Sequence, residues 1–336
     1  MGNGIIVEKK NPEQRMLFFE SENIAGLFHN IEEIIGLDIE RIIMESQRRS
    51  TYDYIVNLVP PLVRKIVLHI GLKQLTRNLL DLGRLMGQGD GNLASLRVKG
   101  DVGDHVAVTI RNPWFLPSNC GVISGGMEAL TGLDSTASYE ETAPGTYLIT
   151  TRISSHPKEL EGRLQKRSYP RKEGDLELAA CRECGGPRDL GSFAWNIPEG
   201  IIANRSSGRR MVLMGPGEFE PIFDELQQEL GEHIPRVVIE AQRRFVAEGF
   251  YSREDVRHEK DLTRHFALRG LGNLREINLA RNRLSARLEN PCLHLMMVGL
   301  FLGFYELIFG HAGEAAWEIG SGGDLIVEVT SGGSAT

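Results

Sequence analysis

The sharpest local chemical signal in the 336-residue chain is Cys181-Arg182-Glu183-Cys184-Gly185-Gly186-Pro187. Two thiols three positions apart, followed by glycine, can form a knuckle whose backbone amides point at sulfur, and tetrahedral zinc would use both thiolates. Cys181 and Cys184 supply half of such a site; the other half would come from His156 or from a second chain's cysteine pair. A redox pair of the thioredoxin kind needs a strand before it and a helix after it, and Gly185-Gly186-Pro187 opposes that helix. An unliganded loop is the remaining reading. The nine histidines are scattered. His258 and His265 share a helical face that Arg257, Glu259, Lys260 and Arg264 mark as solvated. His29 and His69 fall in apolar helical patterns, where a satisfied boundary histidine is far commoner than a haem ligand. There is no Ser-His-Asp order, phosphate loop or dinucleotide glycine fingerprint. With no complete catalytic constellation, the chain is expected to have no catalysis of its own.

The bulk numbers bound the partners. A length of 336 residues predicts about two domains. The hydrophobic share of 41% and charged share of 25% are ordinary globular values. A net charge of −7 argues against a general nucleic-acid binder. Four cysteines are too few for a disulfide scaffold and fit a reducing, cytoplasmic setting. The N-terminus lacks a signal-peptide pattern, and Ile6 breaks the myristoylation pattern. The apolar stretch 291–310 carries His294 and Glu306, so it reads as a buried core helix rather than a membrane span.

The elements that must position these residues occur twice. Gly4-Ile5-Ile6 recurs as Gly200-Ile201-Ile202, Arg15-Met16 as Arg210-Met211, and Glu45-x-Gln47-Arg48-Arg49 as Glu240-x-Gln242-Arg243-Arg244. The last two sets share an offset of 195 (210 − 15 and 240 − 45). Asn112-Pro113 and Gly121-x-x-x-Gly125-x-x-Glu128 recur as Asn290-Pro291 and Gly299-x-x-x-Gly303-x-x-Glu306 at an offset of 178 (291 − 113). The second copy is thus 17 residues shorter (195 − 178), a difference expected within the helical pattern Leu62 to Met86. Ordered matches at two fixed offsets mark a duplication.

Each copy opens with a hairpin, the second turning at Ser206-Ser207-Gly208. The spacing Ile24, Leu27, Phe28, Ile31, Ile34, Ile35 predicts a helix stopping at Gly36, followed by another bearing Ile39, Ile42 and Ile43. Pro60-Pro61 precedes a third. Strands are expected over 93–99, 106–110, 134–142 and 146–153, with a helix carrying Gly121 and Gly125 between them. That glycine spacing reads first as helix-on-sheet packing and second as a helix pairing across copies or chains. Glu45/Arg48 and Glu240/Arg243 read as surface pairs of little energy. The fold class is α+β, two tandem copies of a helix-plus-antiparallel-sheet unit in pseudo-twofold relation. The divisions are 1–153, a linker 154–195 with the cysteine knuckle, 196–330, and a flexible tail 331–336.

Each copy resembles the 4-vinyl-reductase domain family. The resemblance rests on Asn112-Pro113, Cys120-Gly121-x-x-x-Gly125 and Tyr139-Glu140-Glu141, and on Asn290-Pro291, Gly299-x-x-x-Gly303 and Trp317-Glu318. That family is related in fold to Golgi transport-particle subunits and includes aromatic-sensing domains, so the resemblance implies an enclosed pocket for an apolar or aromatic small molecule and frequent dimers. Many members hold zinc through the helix Cys, the strand Glu and two further Cys. Here Ala143 stands three after Glu140, the last strand reads Tyr147-Leu148-Ile149, and Val298 replaces the helix Cys in copy two, so that zinc site is lost. Cys120 then reads as a buried small hydrophobe. The expected pocket residues are Trp114, Phe115 and Tyr139 in copy one and Trp317 in copy two. The leading expectation is a non-catalytic small-molecule sensor or adaptor, a homodimer acting through a protein partner. The alternatives are an accessory subunit of tetrapyrrole vinyl reduction and a structural interaction protein dimerising through a zinc knuckle at Cys181 and Cys184.

Overall fold

The structure is a computed structural model describing residues 2–9, 11–60, 71–99, 101–156, 160, 163–164, 171–256, 258–280 and 282–332. The first half runs β1 (Ile6–Val7), β2 (Arg15–Glu20), α1 (Ser21–Ile35), α2 (Glu40–Leu58), α3 (Leu72–Leu85), β3 (Asp90–Arg97), β4 (His105–Arg111), α4 (Leu116–Thr131), β5 (Ser135–Ala143) and β6 (Thr146–Ile153). A short β7 (Phe193–Asn196) follows, formed by residues that composition places mostly in the linker. The second half runs β8 (Ile201–Asn204), β9 (Arg210–Met214), α5 (Glu220–Leu230), α6 (Ile234–Phe245), α7 (Glu259–Arg269), β10 (Asn273–Ala280), β11 (Arg283–Glu289), α8 (His294–Phe309), β12 (Gly313–Ile319) and β13 (Leu325–Ser331). The fold is α+β. Part of the third helical pattern, residues 61–70 including His69, lies outside the described residues.

The two halves meet in one antiparallel sheet of order β1-β2-β9-β8-β7. At its centre Leu17 pairs with Met214, Phe18 with Leu213 and Phe19 with Val212. At the offset of 195, Phe18 and Leu213 are the same position, and the flanking pairs exchange places. The register is therefore symmetric about that pair. Leu17, Phe18 and Phe19 are all buried, which requires cover on both faces of the sheet. Two further antiparallel sheets, β3-β4-β6-β5 and β10-β11-β13-β12, share one strand order.

Side chains cross between halves in matching pairs. Arg15 donates to the carbonyls of Gly270, Asn290 and Pro291 at 2.8, 2.7 and 3.0 Å. Arg210 donates to those of Gly87, Asn112 and Pro113 at 3.0, 2.7 and 3.1 Å. Gly272 N–H reaches Gly4 O at 3.1 Å, as Gly89 N–H reaches Gly200 O at 3.0 Å. A Cβ on Gly4 would stand 2.3 Å from Gly272 backbone and one on Gly200 2.2 Å from Gly89 backbone, so these positions admit only glycine. Asn112 and Asn290 sit in the left-handed region (φ 53° and 52°), which Asn tolerates better than most residues. These contacts correct the expected location of the length difference. Gly87 and Gly270 are 183 apart, so the shortening is divided. Part precedes these glycines, and part falls in the β3–β4 loop, which spans 98–104 against only 281–282 in the second half.

The helices follow their apolar spacing. α1 ends at Gly36 (φ 70°), whose amide caps Glu32 O at 2.8 Å. Ile24, Leu27, Phe28 and Ile31 are buried, and the Phe28 ring packs at a tilt against Phe219 and Phe223 of the other half at 5.7 and 6.0 Å. α8 is buried along most of its length, and no helix among the described residues is long and apolar enough to cross a membrane.

Gly121 and Gly125 pack against a helix, not the sheet. A Cβ on Gly125 would lie 2.1 Å from Arg48 O, and one on Gly121 2.5 Å from Met44 O, both on α2. Gly299 meets α6 in the same way, at Ile239 O. The pairing is between neighbours within one half. Gly126 differs, because its nearest neighbour beyond the helix is Ile55 at 3.7 Å.

Two results are expected in denaturant titrations. Gly125→Val overpacks the α2–α4 contact and costs about 1–3 kcal/mol, whereas Gly126→Ala gains up to about 1 kcal/mol of helix propensity. Arg210→Met leaves its carbonyl acceptors without a charged donor and costs about 3 kcal/mol; an unchanged midpoint would show that the crossing contacts do not hold the halves together.

Candidate functional site

A cavity of about 420 Å³ lies in the first half, between α2, α3, α4 and β4, with β1, β2 and β9 closing one end. Its wall is mostly aliphatic, including Leu79, Leu80, Val106, Val108, Ile123 and Leu130. The polar groups on it are largely engaged. Gln47 Oε1 accepts from Ser118 at 2.9 Å. Tyr54 O–H donates to Glu8 at 3.2 Å, and burial together with the Glu8 charge pushes the phenol up to about 12. Gln88 donates to Leu213 O at 3.3 Å, and the Thr76 and Thr131 hydroxyls turn back onto their own helices. Among the described residues lining it there are two carboxylates, Glu8 and Glu218, and no Lys, Arg or His.

The same positions in the second half are filled. At the repeat offsets, Ser50 corresponds to Phe245, Thr51 to Val246, Ile123 to Phe301, Gly126 to Phe304 and Met127 to Tyr305. All five of those second-half side chains are buried. Phe301 stacks on Phe266 at 5.3 Å, and Phe304 meets Tyr251 edge-on at 5.3 Å. Larger side chains thus occupy in one half the volume that smaller ones leave open in the other.

Beside the cavity, α2 is clamped to α4. Arg48 donates to Glu45 at 2.9 Å and to Glu128 at 2.7 Å, with all three side chains nearly buried. Arg243 joins Glu240 and Glu306 at 2.7 and 2.8 Å in the second half. The expected surface pairs are therefore three-membered and partly desolvated, because the third member, a second carboxylate, comes from a helix distant in sequence. His156 completes the first cluster, 3.1 Å from Glu128 and 3.5 Å from Asp134. Glu128, Asp134 and His156 are the set among the described residues whose ligand atoms converge as a metal would require.

Of the four expected pocket residues, Trp114 lines this cavity and is buried, with no acceptor for its Nε1 among the described residues. Phe115 stacks on Phe28 at 5.7 Å. Tyr139 is exposed on β5 and donates to Glu40 at 3.1 Å. Trp317, half-buried on β12, packs on the main core. The structure brings none of these three to the cavity. The residues sequence reasoning missed are Gln47, Ser50, Thr51, Tyr54 and Gly126. The available signal was Gly126 against Phe304 at matched positions.

The remaining candidates are placed as follows. Cys120 packs with Ile110 and Ile149, and burial pushes its thiol up to about 12. Cys292 is buried likewise and pushed up to about 11. Cys181 and Cys184 lie at the surface, where the amides of Cys184 and Glu183 donate to the Cys181 sulfur and hold its thiol below the usual range. His29 faces solvent beside Glu33 rather than the core. His265 departs from the expected solvated face. It is half-buried against Tyr251 and Phe266, and burial and the Arg269 charge hold its imidazole down at about 3.

No family model matches the chain, and no curated protein matches it. Solved structures that are similar to part of the chain include two at low identity. One is the phenol-responsive sensory domain of the transcription activator PoxR with phenol, at 14% identity and a TM-score of 0.31, covering 47% of this chain and 89% of that one. The other is a Cs H-NOX mutant, at 10% identity and a TM-score of 0.26, covering 36% of this chain and 76% of that one.

Thiol burial gives a direct check. Iodoacetamide at mildly alkaline pH should label Cys181 and Cys184 in the folded, chelator-treated protein and all four cysteines in guanidinium, because the thiolate is the nucleophile. Native labelling of Cys120 as fast as Cys184 would contradict its placement.

Proposed function

We propose that the first-half cavity binds one neutral, largely apolar or aromatic small molecule, and that the protein is a ligand-binding sensor or adaptor without catalysis of its own. The observation that carries this is the contrast at matched positions: Gly126, Thr51 and Ser50 border an open volume where Phe304, Val246 and Phe245 pack a core. The second half serves as scaffold for the first, and the two form a fused pair in pseudo-twofold relation. The cavity volume is in the range of small-molecule sites. Its hydrogen-bonding groups are largely satisfied by one another, which favours an occupant that asks little of them. Two carboxylates and no described cation on the wall disfavour an anionic ligand. Trp114 supplies the aromatic part of the wall. The resemblance to the 4-vinyl-reductase domain points the same way.

The test is native mass spectrometry of the purified full chain for a retained small molecule, paired with titration of an environment-sensitive naphthalene dye. One dye per chain is expected. Gly126→Phe, which copies the second-half residue, should weaken binding at least tenfold, about 1.4 kcal/mol, while thermal unfolding shows it folded. Gly126→Ala should bind as wild type does. Undiminished binding by a folded Gly126→Phe variant would sink the assignment of this cavity.

A further inference from the structure

The knuckle at Cys181 stands apart from the cavity and is built as a ligand. Ala180 and Pro187 bridge antiparallel, Arg188 N–H reaches Ala179 O at 2.7 Å, and Cys181 N–H reaches Gly186 O at 2.7 Å. Gly185 N–H closes back on Cys181 O at 3.0 Å, with Gly185 at φ 72°, a conformation in which a side chain is strained. Both cysteines are free, Cys184 exposed and Cys181 half-buried. A short 3₁₀ turn, Arg188–Ser192, follows in place of the α-helix a thioredoxin-type redox pair would need.

We infer that Cys181 and Cys184 are half of a tetrahedral zinc(II) site completed by the same pair from a second copy of this chain. A structural zinc site takes four ligands, and sulfur donors select zinc over harder cations. Among the described residues the chain supplies two here. The converging ligand set among the described residues, Glu128, Asp134 and His156, does not include the knuckle. His156, one candidate for the missing half, is instead held among Glu128, Asp134 and Glu45. A twofold-related copy brings an identical knuckle with identical exposure, which closes the coordination with no further residue type. Loading is balanced: four thiols lose four protons to solvent, four sulfur–zinc bonds form, and zinc stays divalent. The resulting ZnS₄ centre carries two net negative charges, which Arg188 from each copy offsets in part.

The test uses the full chain expressed with zinc and purified without chelator. Metal content and native mass are read on the same sample, with Cys181→Ser and Cys184→Ser alongside. One zinc per two chains in a dimer is expected, with a strong chelator giving metal-free monomer. Cobalt(II) loading should give tetrahedral visible bands with thiolate-to-metal charge transfer. Each serine variant should lose the metal and the dimer while keeping the thermal midpoint of the chelator-treated, metal-free wild type, since neither side chain belongs to a core cluster. One zinc per chain in a monomer, no zinc, zinc retained by Cys181→Ser, or a dimer that survives metal removal would each overturn the proposal. The dye titration of the cavity is read independently, so either reading can fail alone.

Discussion

The rest of the structure depends on the reciprocal docking of Arg15 and Arg210. Each arginine leaves the central sheet and is received by three backbone carbonyls of the opposite half. Charge-assisted hydrogen bonds in a water-poor site are strong and directional. Left-handed Asn112 and Asn290 are among the residues whose carbonyls receive them, and the glycines beside them allow backbone-to-backbone approach that no side chain would permit. Neither half can complete its own carbonyl nest. The register through Phe18 and Leu213 is the sheet's version of the same constraint: a slip of one residue would move both arginines out of reach and exchange the side chains packed on its two covered faces.

Within that frame the two cores diverged without disturbing the helix contacts. Gly121 and Gly125 are one turn apart and lie against α2, so they fix how closely α4 approaches. Gly126 is one residue further, about 100° around the helix, and borders the cavity. At the matching position of the second half, the ring of Phe304 is buried against Tyr251. The seam and the cavity are therefore separable features of one helix. The first half carries the open volume and the second half a packed core at the matched positions.

The Arg48 and Arg243 clusters show what three-dimensional context adds to a short motif. Glu and Arg three apart on an isolated helix form a weak exposed pair. Here Glu128 and Glu306, from the facing helices, turn each pair into a partly buried bridge. Removing one member would leave the others desolvated and uncompensated.

Much of this was legible in the sequence. The two offsets, the stop at Gly36, the turn at Ser206 to Gly208 and the alternation in Val106, Val108 and Ile110 determined the element order and the α+β class, because each is a local signal with a local cause. The knuckle was legible for the same reason, as its geometry is set within seven residues. Trp114 lies on the cavity wall, whereas Phe115, Tyr139 and Trp317 look alike in sequence and differ in what lies across from them. The sequence showed that Arg15 and Arg210 match, but not that each serves the opposite half, since a carbonyl acceptor leaves no mark on residue type. Only the tertiary structure decided which copy is hollow. A cavity is a volume left between elements far apart in the chain, and one glycine records it only when its counterpart is seen to be a packed phenylalanine.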